Sequence, residues 1–234
     1  MRSFLIMLLP SFLKIYFLNF IKGNRIEKKV RIGFSYIKVK NIILEEGAQI
    51  GHFNFIRSIH TLKLEKNAQI QNFNRASQFH TMHLHADSKI ASLNVFGGDL
   101  YYNHGEKKFV LGEKSTVTIG HRFDLVDNIF IGYNTVIAGA SSQFYTHSFD
   151  LKRERLQWTI NVGDNCYIGT RAIVLSSICN NVVIGAGTSV HKEISEPGLW
   201  ISSSLLRAGD ANNFSEKGIF DSYEKDGYTF WIKK

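Results

Sequence analysis

The sequence predicts an all-β chain wound into stacked triangular coils, and three observations predict it. An aliphatic residue followed by glycine or another small residue recurs every six positions, at Val162-Gly163, Ile168-Gly169 and Val174, then at Ile178, Ile184-Gly185 and Val190. The same phase runs upstream through Ile119-Gly120, Ile131-Gly132 and Ile137-Ala138, and more loosely through Ile32-Gly33, Leu44-Glu45, Ile50-Gly51, Ile56 and Ile70. Second, a period of six fits neither a helix, which repeats at 3.6, nor a plain strand, which repeats at 2. Six is a short strand plus a tight corner: the aliphatic side chain points inward and the small residue lets the backbone turn. Third, glycine is frequent, with 19 residues, and proline is scarce, with 2, which favours a turn-rich compact fold over proline-rich linkers. Three units close a coil of about eighteen residues, and coils stack about 4.8 Å apart with in-register parallel hydrogen bonds. No coil can bury its own apolar column, so the stack must be several coils long; residues 30–195 supply about nine, less what loops consume.

Along the chain, residues 1–28 form an apolar N-terminal helix and basic linker, 29–195 the coil domain and 196–234 a C-terminal tail. The apolar run SFLIMLLPSFLKIYFLNFI at 3–21 is interrupted by Pro10 and Lys14. A membrane span needs about 18 or more consecutive apolar residues, so no span is expected. A signal peptide would show a small-residue cleavage site, and Tyr16, Phe17 and Phe20 stand there instead. Two readings remain: an interfacial helix, or a helix docked on the protein's own body. Lys22, Arg25, Lys28, Lys29 and Arg31 just downstream favour attachment to an anionic cytoplasmic leaflet. At the other end, Trp200, Phe214, Phe220, Tyr228, Phe230 and Trp231 argue that the tail packs on the coil or on a neighbouring subunit.

Two irregularities stand out. Between Leu175 and Ile184 the chain is two residues short of a strict hexad count, so one corner is tightened. Residues 71–112 match poorly, and NVFGGDLYYNHGEKK reads as a coil with an outward loop or hairpin.

Hydrophobic residues at 44% and charged residues at 21% exclude wholesale disorder. A net charge of +8 invites a polyanion partner. Nucleic acid is not expected, since zinc-finger spacing, RNP-like aromatics and a long basic helix are all missing. Anionic headgroups or a phosphorylated cofactor suit the charge distribution better. Cys166 and Cys179 belong to no CxxC pair, form no disulfide framework and fit a reducing compartment.

With IGYNTVIAG, VGDNCYIGTRAIVL and NNVVIGAGTSVHKEI in view, the chain resembles the hexapeptide-repeat acyltransferases over about residues 30–205. It is similar to the branch that decorates bacterial surface polysaccharides such as capsule and O-antigen, broadly akin to maltose and galactoside acetyltransferases. The closing IGAGTSVHKEI parallels that family's terminal coil. The resemblance implies a left-handed parallel β-helix, a homotrimer, and acetyl-CoA as co-substrate in the cleft between neighbouring prisms. It implies O-acetyl transfer to a hydroxyl of a carbohydrate acceptor, a cell-surface polysaccharide or its lipid-linked or nucleotide-sugar precursor. Such an enzyme is expected to be cytoplasmic, peripheral on the inner face of the cell membrane. Two alternatives share the fold: N-acetylation of an amino sugar nucleotide, and a zinc-dependent hydratase.

The repeat breaks at SSQFYTHSFD, residues 141–150. A hexad interior is an apolar column and cannot house a working imidazole, so a catalytic histidine belongs where the coil opens. His147 lies just after the IGYNTVIAG coil and before an excursion. By the resemblance it matches the general base, and neutral histidine suits proton removal from a hydroxyl. A base needs a partner to fix its tautomer. Asp124, in a preceding coil, is preferred to Asp150 for that role. For acetyl-CoA, the small-residue coil edges at Gly169, Thr170, Ser176, Gly185 and Ala186 offer exposed backbone amides. Lys192 matches the family's basic residue near the nucleotide end. Trp158 and Arg153 are candidates for the sugar, as a stacking platform and a charged contact. No metal site is expected. His83 and His85 share one strand face, but the family's zinc pair, five apart, would be His80 with His85, an odd offset on a strand. His52, His60, His104 and His121 have no matching partner spacing.

Overall fold

The computed structural model describes residues 6–100, 105–149 and 155–201, and in backbone alone 206–209, 220–225 and 228–233. The chain is a left-handed parallel β-helix, an all-β solenoid of about eight turns, with a short helix, Ser11–Asn19, among the described residues. Its parallel pairing begins at Arg25–Ile26, which lies on Ile43–Leu44, and continues to Gly198–Ile201.

Three inward columns make the core, one per face of the prism. The first runs through Ile32, Ile50, Ile70, Ile90 and Val117, each in register with the next, and on to Ile168 and Ile184. The third runs from Ile26 through Leu44, Leu64, Leu84 and Leu111 to Ile131 and Val162. The second changes character along its length, from Ile56 and Ala76 to Phe96, Phe123 and Phe144, then Val174 and Val190. Phe123 is stacked between the other two rings, with centroids 4.8 Å away on either side. That distance is the strand spacing itself, so aromatic contact comes with the register.

Coil length varies around the expected eighteen. The rungs containing Phe55–Leu64 and Arg75–Leu84 are twenty residues long, as the pairings Ile56 with Ala76 and Leu64 with Leu84 show. The added length is a bend within one ten-residue strand, where Ser58 and Gln78 turn through φ of 52° and 66°. Within 71–112, residues 71–90 form a regular rung where the hexads matched poorly, while the coil is left after Gly98 and rejoined at Lys108, in keeping with the expected outward excursion. The hexad count failed because two residues are inserted in every such rung. The tightened corner after Leu175 is confirmed as rungs of sixteen, with Ile168 on Ile184 and Val174 on Val190.

The corner between first and second faces carries a buried polar ladder. Asn54 Oδ1 accepts from the Asn74 N–H at 2.8 Å, Asn74 Oδ1 from Asn94 at 2.9 Å, and Asn94 Oδ1 from His121 at 2.8 Å. His121 Nδ1 in turn accepts from the Ser142 N–H at 3.1 Å, leaving Nε2–H for Thr118 Oγ1 at 2.9 Å. Each side chain satisfies a backbone group of the next rung, which a dry interior demands. Burial holds the His121 pKa down at about 4.

The helix Ser11–Asn19 (α1) lies across the N-terminal end of the prism. Leu18 joins the core, Ser11 Oγ accepts from Ile32 N–H at 3.0 Å, and buried Lys14 donates to the Gly33 carbonyl. The opposite side exposes Phe12, Tyr16, Phe17 and Phe20. Docking on the protein's own body thus uses one face, and an apolar outer face remains. No helix among the described residues is long and apolar enough to cross a membrane. At the far end, Leu206–Gly209 pairs antiparallel with the Gly198–Ile201 strand, and Phe220–Lys225 with Tyr228–Lys233. The side chains of the tail's aromatics beyond Trp200 lie outside the described residues.

Candidate functional site

Two departures from the coil open at the same corner, after the second face. One leaves at Gly98 and returns at Lys108; the other is an antiparallel hairpin, His147–Phe149 against Arg155–Gln157. The rung between them is uninterrupted and carries Asp124, in register with Gly97 on one side and Tyr145 on the other. A Cβ built on Gly97 meets nothing within 4 Å, so space lies open beside Asp124.

His147 is the first residue of the hairpin and turns back onto that rung. Its Nδ1 lies 2.5 Å from Asp124 Oδ2. With a carboxylate accepting at Nδ1, that nitrogen carries the proton and Nε2 presents its lone pair. Among the described residues Nε2 has no hydrogen-bond partner. Burial pushes the Asp124 carboxyl above its usual range, against the pull of His147, Arg122 and Arg155. The histidine side chain is 24% exposed, half-sheltered but reachable.

Thr146, just before His147, fixes the start of the hairpin, and the sequence reading missed it. Its Oγ1 donates to the Asp124 carbonyl at 2.8 Å and accepts from the Asp127 N–H at 2.9 Å, while its carbonyl accepts from the Trp158 N–H at 2.9 Å. Through its hydroxyl and its carbonyl, one residue thereby ties the rung of Asp124 to both ends of the hairpin. A hydroxyl in an apolar-periodic segment at the last position before the break was the available signal. Arg155, on the returning strand, reaches the other excursion through Asp99 Oδ2 at 2.9 Å.

The remaining candidates fall into separate places. Gly169, Thr170, Gly185 and Ala186 line the corner after the first face. Ser176 and Lys192, sixteen apart, stack on each other at the corner from which the hairpin leaves. The length of the second face, with the strand Ile173–Val174, separates the two groups. The glycines also have a packing reason: a Cβ on Gly169 would lie 2.7 Å from the Ala186 nitrogen. Thr170 Oγ1 donates to the Ala140 carbonyl at 2.7 Å, and its side chain fills the space beside Gly139, whose φ is +66°. Trp158 is packed against the core with Nε1 buried and unpaired, so it anchors the hairpin's return. Arg153 and Asp150 lie outside the described residues.

Of the other histidines, His83 and His85 face outward together beside Glu65, as their two-residue spacing requires. His80 turns elsewhere, its Nδ1 accepting from the Lys107 N–H at 3.0 Å. Both cysteines are free, as expected; Cys166 is buried and its thiol pKa is raised by that burial. A cleft of about 520 Å³ lies against α1, lined by Pro10, Arg31, Phe34, His52 and Gln69 among others. It holds no acid–base pair comparable with His147 and Asp124, since His52 Nδ1 accepts from the Phe34 N–H.

Neither a family model nor a curated protein matches this chain. Solved structures do. A polySia-specific acetyltransferase, NeuO, matches with a TM-score of 0.52 and 16% identity over 81% of both chains. A maltose O-acetyltransferase from Clostridium difficile 630 is 24% identical over 53% of this chain and 66% of its own, with a TM-score of 0.45. LpxA from Acinetobacter baumannii is 14% identical over 76% and 69%, with a TM-score of 0.41. At these identities what is shared is the solenoid architecture, and the chain spans about two thirds of the length of the maltose O-acetyltransferase.

Proposed function

We propose that the protein is an acetyl-CoA-dependent O-acetyltransferase acting on a hydroxyl of a cell-surface polysaccharide or of its lipid-linked or nucleotide-sugar precursor. The observation that carries this reading is the His147–Asp124 pair at 2.5 Å, opened to solvent by two excursions. The likeness of the solenoid to that of the polySia-specific acetyltransferase NeuO supports the same chemistry.

In this reading His147 Nε2 takes the proton of the acceptor hydroxyl as its oxygen attacks the thioester carbonyl. The imidazolium so formed is held by Asp124 through Nδ1–H, and its Nε2 proton passes to the departing thiolate. A thioester is already activated, so no protein nucleophile is needed, and positioning and base catalysis suffice. Burial raises the basicity of the Asp124 carboxylate, which strengthens its hold on the Nδ1 proton. Gly169, Thr170, Ser176, Gly185, Ala186 and Lys192 are the proposed contacts for acetyl-CoA, Ser176 and Lys192 sharing the hairpin's corner. Arg153 remains the proposed contact for the sugar, and Trp158, packed against the core, is proposed to act on the sugar site through the hairpin it anchors.

The proposal extends to a homotrimer and to peripheral attachment on a membrane's inner face. The exposed ladder of Phe53, Phe73 and Leu93 is surface an assembly would cover, and the outer face of α1 is surface a bilayer would.

The test is thiol release from acetyl-CoA across a panel of sugars bearing free hydroxyls or free amines. Turnover on hydroxyl acceptors is expected. Turnover confined to amines would replace the reading by N-acetylation, and no turnover on any acceptor would contradict both.

A further inference from the structure

We propose that Glu65, His83 and His85 form a binding site for one divalent metal ion per chain, with Zn²⁺ the ion that the donor set fits best. The three come together for a reason rooted in the coil. Alternation along the strand turns His83 and His85 to the same outer side. Parallel stacking puts Lys63 beside His83 and Leu64 beside Leu84, so Glu65 lies one rung away from His85. Glu65 Oε1 is 2.8 Å from His83 Nε2, and Oε2 is 3.2 Å from His85 Nδ1. All three donor atoms lie within 4.8 Å of one another, and the imidazole rings are 4.2 Å apart.

Ligands at about 2.0–2.2 Å around a tetrahedral ion stand roughly 3.3 Å from each other. Each histidine nitrogen is already within about half an ångström of that value from one carboxylate oxygen, His83 from Oε1 and His85 from Oε2. Side-chain rotation has to bring the three donor atoms, now within 4.8 Å of one another, to that spacing. Two imidazoles with one carboxylate select a borderline ion over Mg²⁺ or Ca²⁺, which prefer oxygen alone. The fourth position opens to solvent, His85 being 39% exposed. The obstacle is Lys63, whose Nζ lies 2.8 Å from Glu65 Oε1 and must swing aside on its flexible stem. The ion would add a clip between two rungs already joined by strand hydrogen bonds, apolar packing and the Asn54–Asn74 step of the polar ladder. It lies on rungs other than those of His147 and Asp124, and takes all its ligands from one chain, so this proposal does not rest on the proposed transfer reaction.

The test uses the full chain without an affinity tag, stripped with chelator and dialysed, then titrated with ZnCl₂ against a chromophoric zinc indicator. One ion per chain is expected, with a melting temperature that rises with Zn²⁺ by mass action. His85→Gln and Glu65→Gln are each expected to weaken binding by about tenfold or more. Lys63→Met removes the competing ammonium and is expected to tighten it several-fold, a gain that an unfolded variant could not give. His60→Gln is the control: His60 and His80 form a second close ring pair, 4.8 Å apart, and its loss leaves the site intact. Absence of stoichiometric binding, or equal affinity in the wild type and the His85, Glu65 and Lys63 variants, overturns the proposal.

Discussion

The rungs at 51–70 and 71–90 and those between 91 and 168 are built on the same three columns, yet they treat one corner in opposite ways. In the first pair a single ten-residue strand carries the chain from the second face through to the third, bending at Ser58 and Gln78. In the later rungs, that corner opens at Asp99 and again at His147. The closed version seals the prism and offers side chains only along its outer skin. The open version leaves one intact rung between two excursions, and its Asp124 meets a histidine that is no longer bound to the hexad pattern. A solenoid thus concentrates chemistry at its interruptions. The regular rungs supply rigidity, and the core beneath the opening is reinforced by the stack of Phe96, Phe123 and Phe144.

The comparison is broken most severely at the open corner. His147→Ala is expected to reduce acetyl transfer by about 10²- to 10⁴-fold, the worth of a general base, with little change in melting temperature. A steady-state thiol-release assay beside a thermal melt checks both halves. Phe123→Ala, under the opening, should cost about 3–5 kcal/mol in denaturant unfolding, because a ring is removed from between two others with no room to collapse. Asp124→Asn retains the shape and loses the charge; a drop of about 10- to 100-fold in kcat, with KM nearly unchanged, is expected of a residue that acts through His147.

A smaller effect separates His121, buried in the polar ladder, from His147. Its folded pKa of about 4 lies below the ordinary histidine value. A depressed pKa gives stability that is present above the unfolded value, near 6.5, and lost as pH falls through about 4. Wild-type stability should therefore fall by roughly 3 kcal/mol over that window from this group alone. The acid slope should be shallower in His121→Asn, as urea unfolding at stepped pH would show. Smallest is Arg155→Met, which loosens the tie to Asp99 between the excursions; a decrease in stability of about 1 kcal/mol is expected for loss of a partly exposed ion pair.

How much of this could be read from the residues follows from what period six reports. Where the corner needs a small residue, as at Gly169 against the next rung, the hexads were visible and the coil followed. Where two residues were inserted at Ser58 and Gln78, the phase slipped and a regular rung looked irregular. His147 was legible as a polar residue at a break, and Asp124 as a carboxylate one rung before it. Thr146 was not read: its hydroxyl at the last position before the break was the one signal, and no spacing marks a threonine as a tie between rungs. Nor was the grouping of Glu65 with His83 and His85, because it needs the twenty-residue register that the hexad count missed. The asparagine ladder was hidden for the same reason: Asn54, Asn74 and Asn94 repeat at twenty.

The most direct measurement of the central claim is a crystal structure of the protein with CoA bound. The account predicts the thiol in the opening between the two excursions, facing His147 Nε2, with room for an acceptor hydroxyl at about 3 Å from that nitrogen. A pantetheine arm that ends elsewhere on the coil, with the His147–Asp124 pair remote from the sulfur, would contradict it.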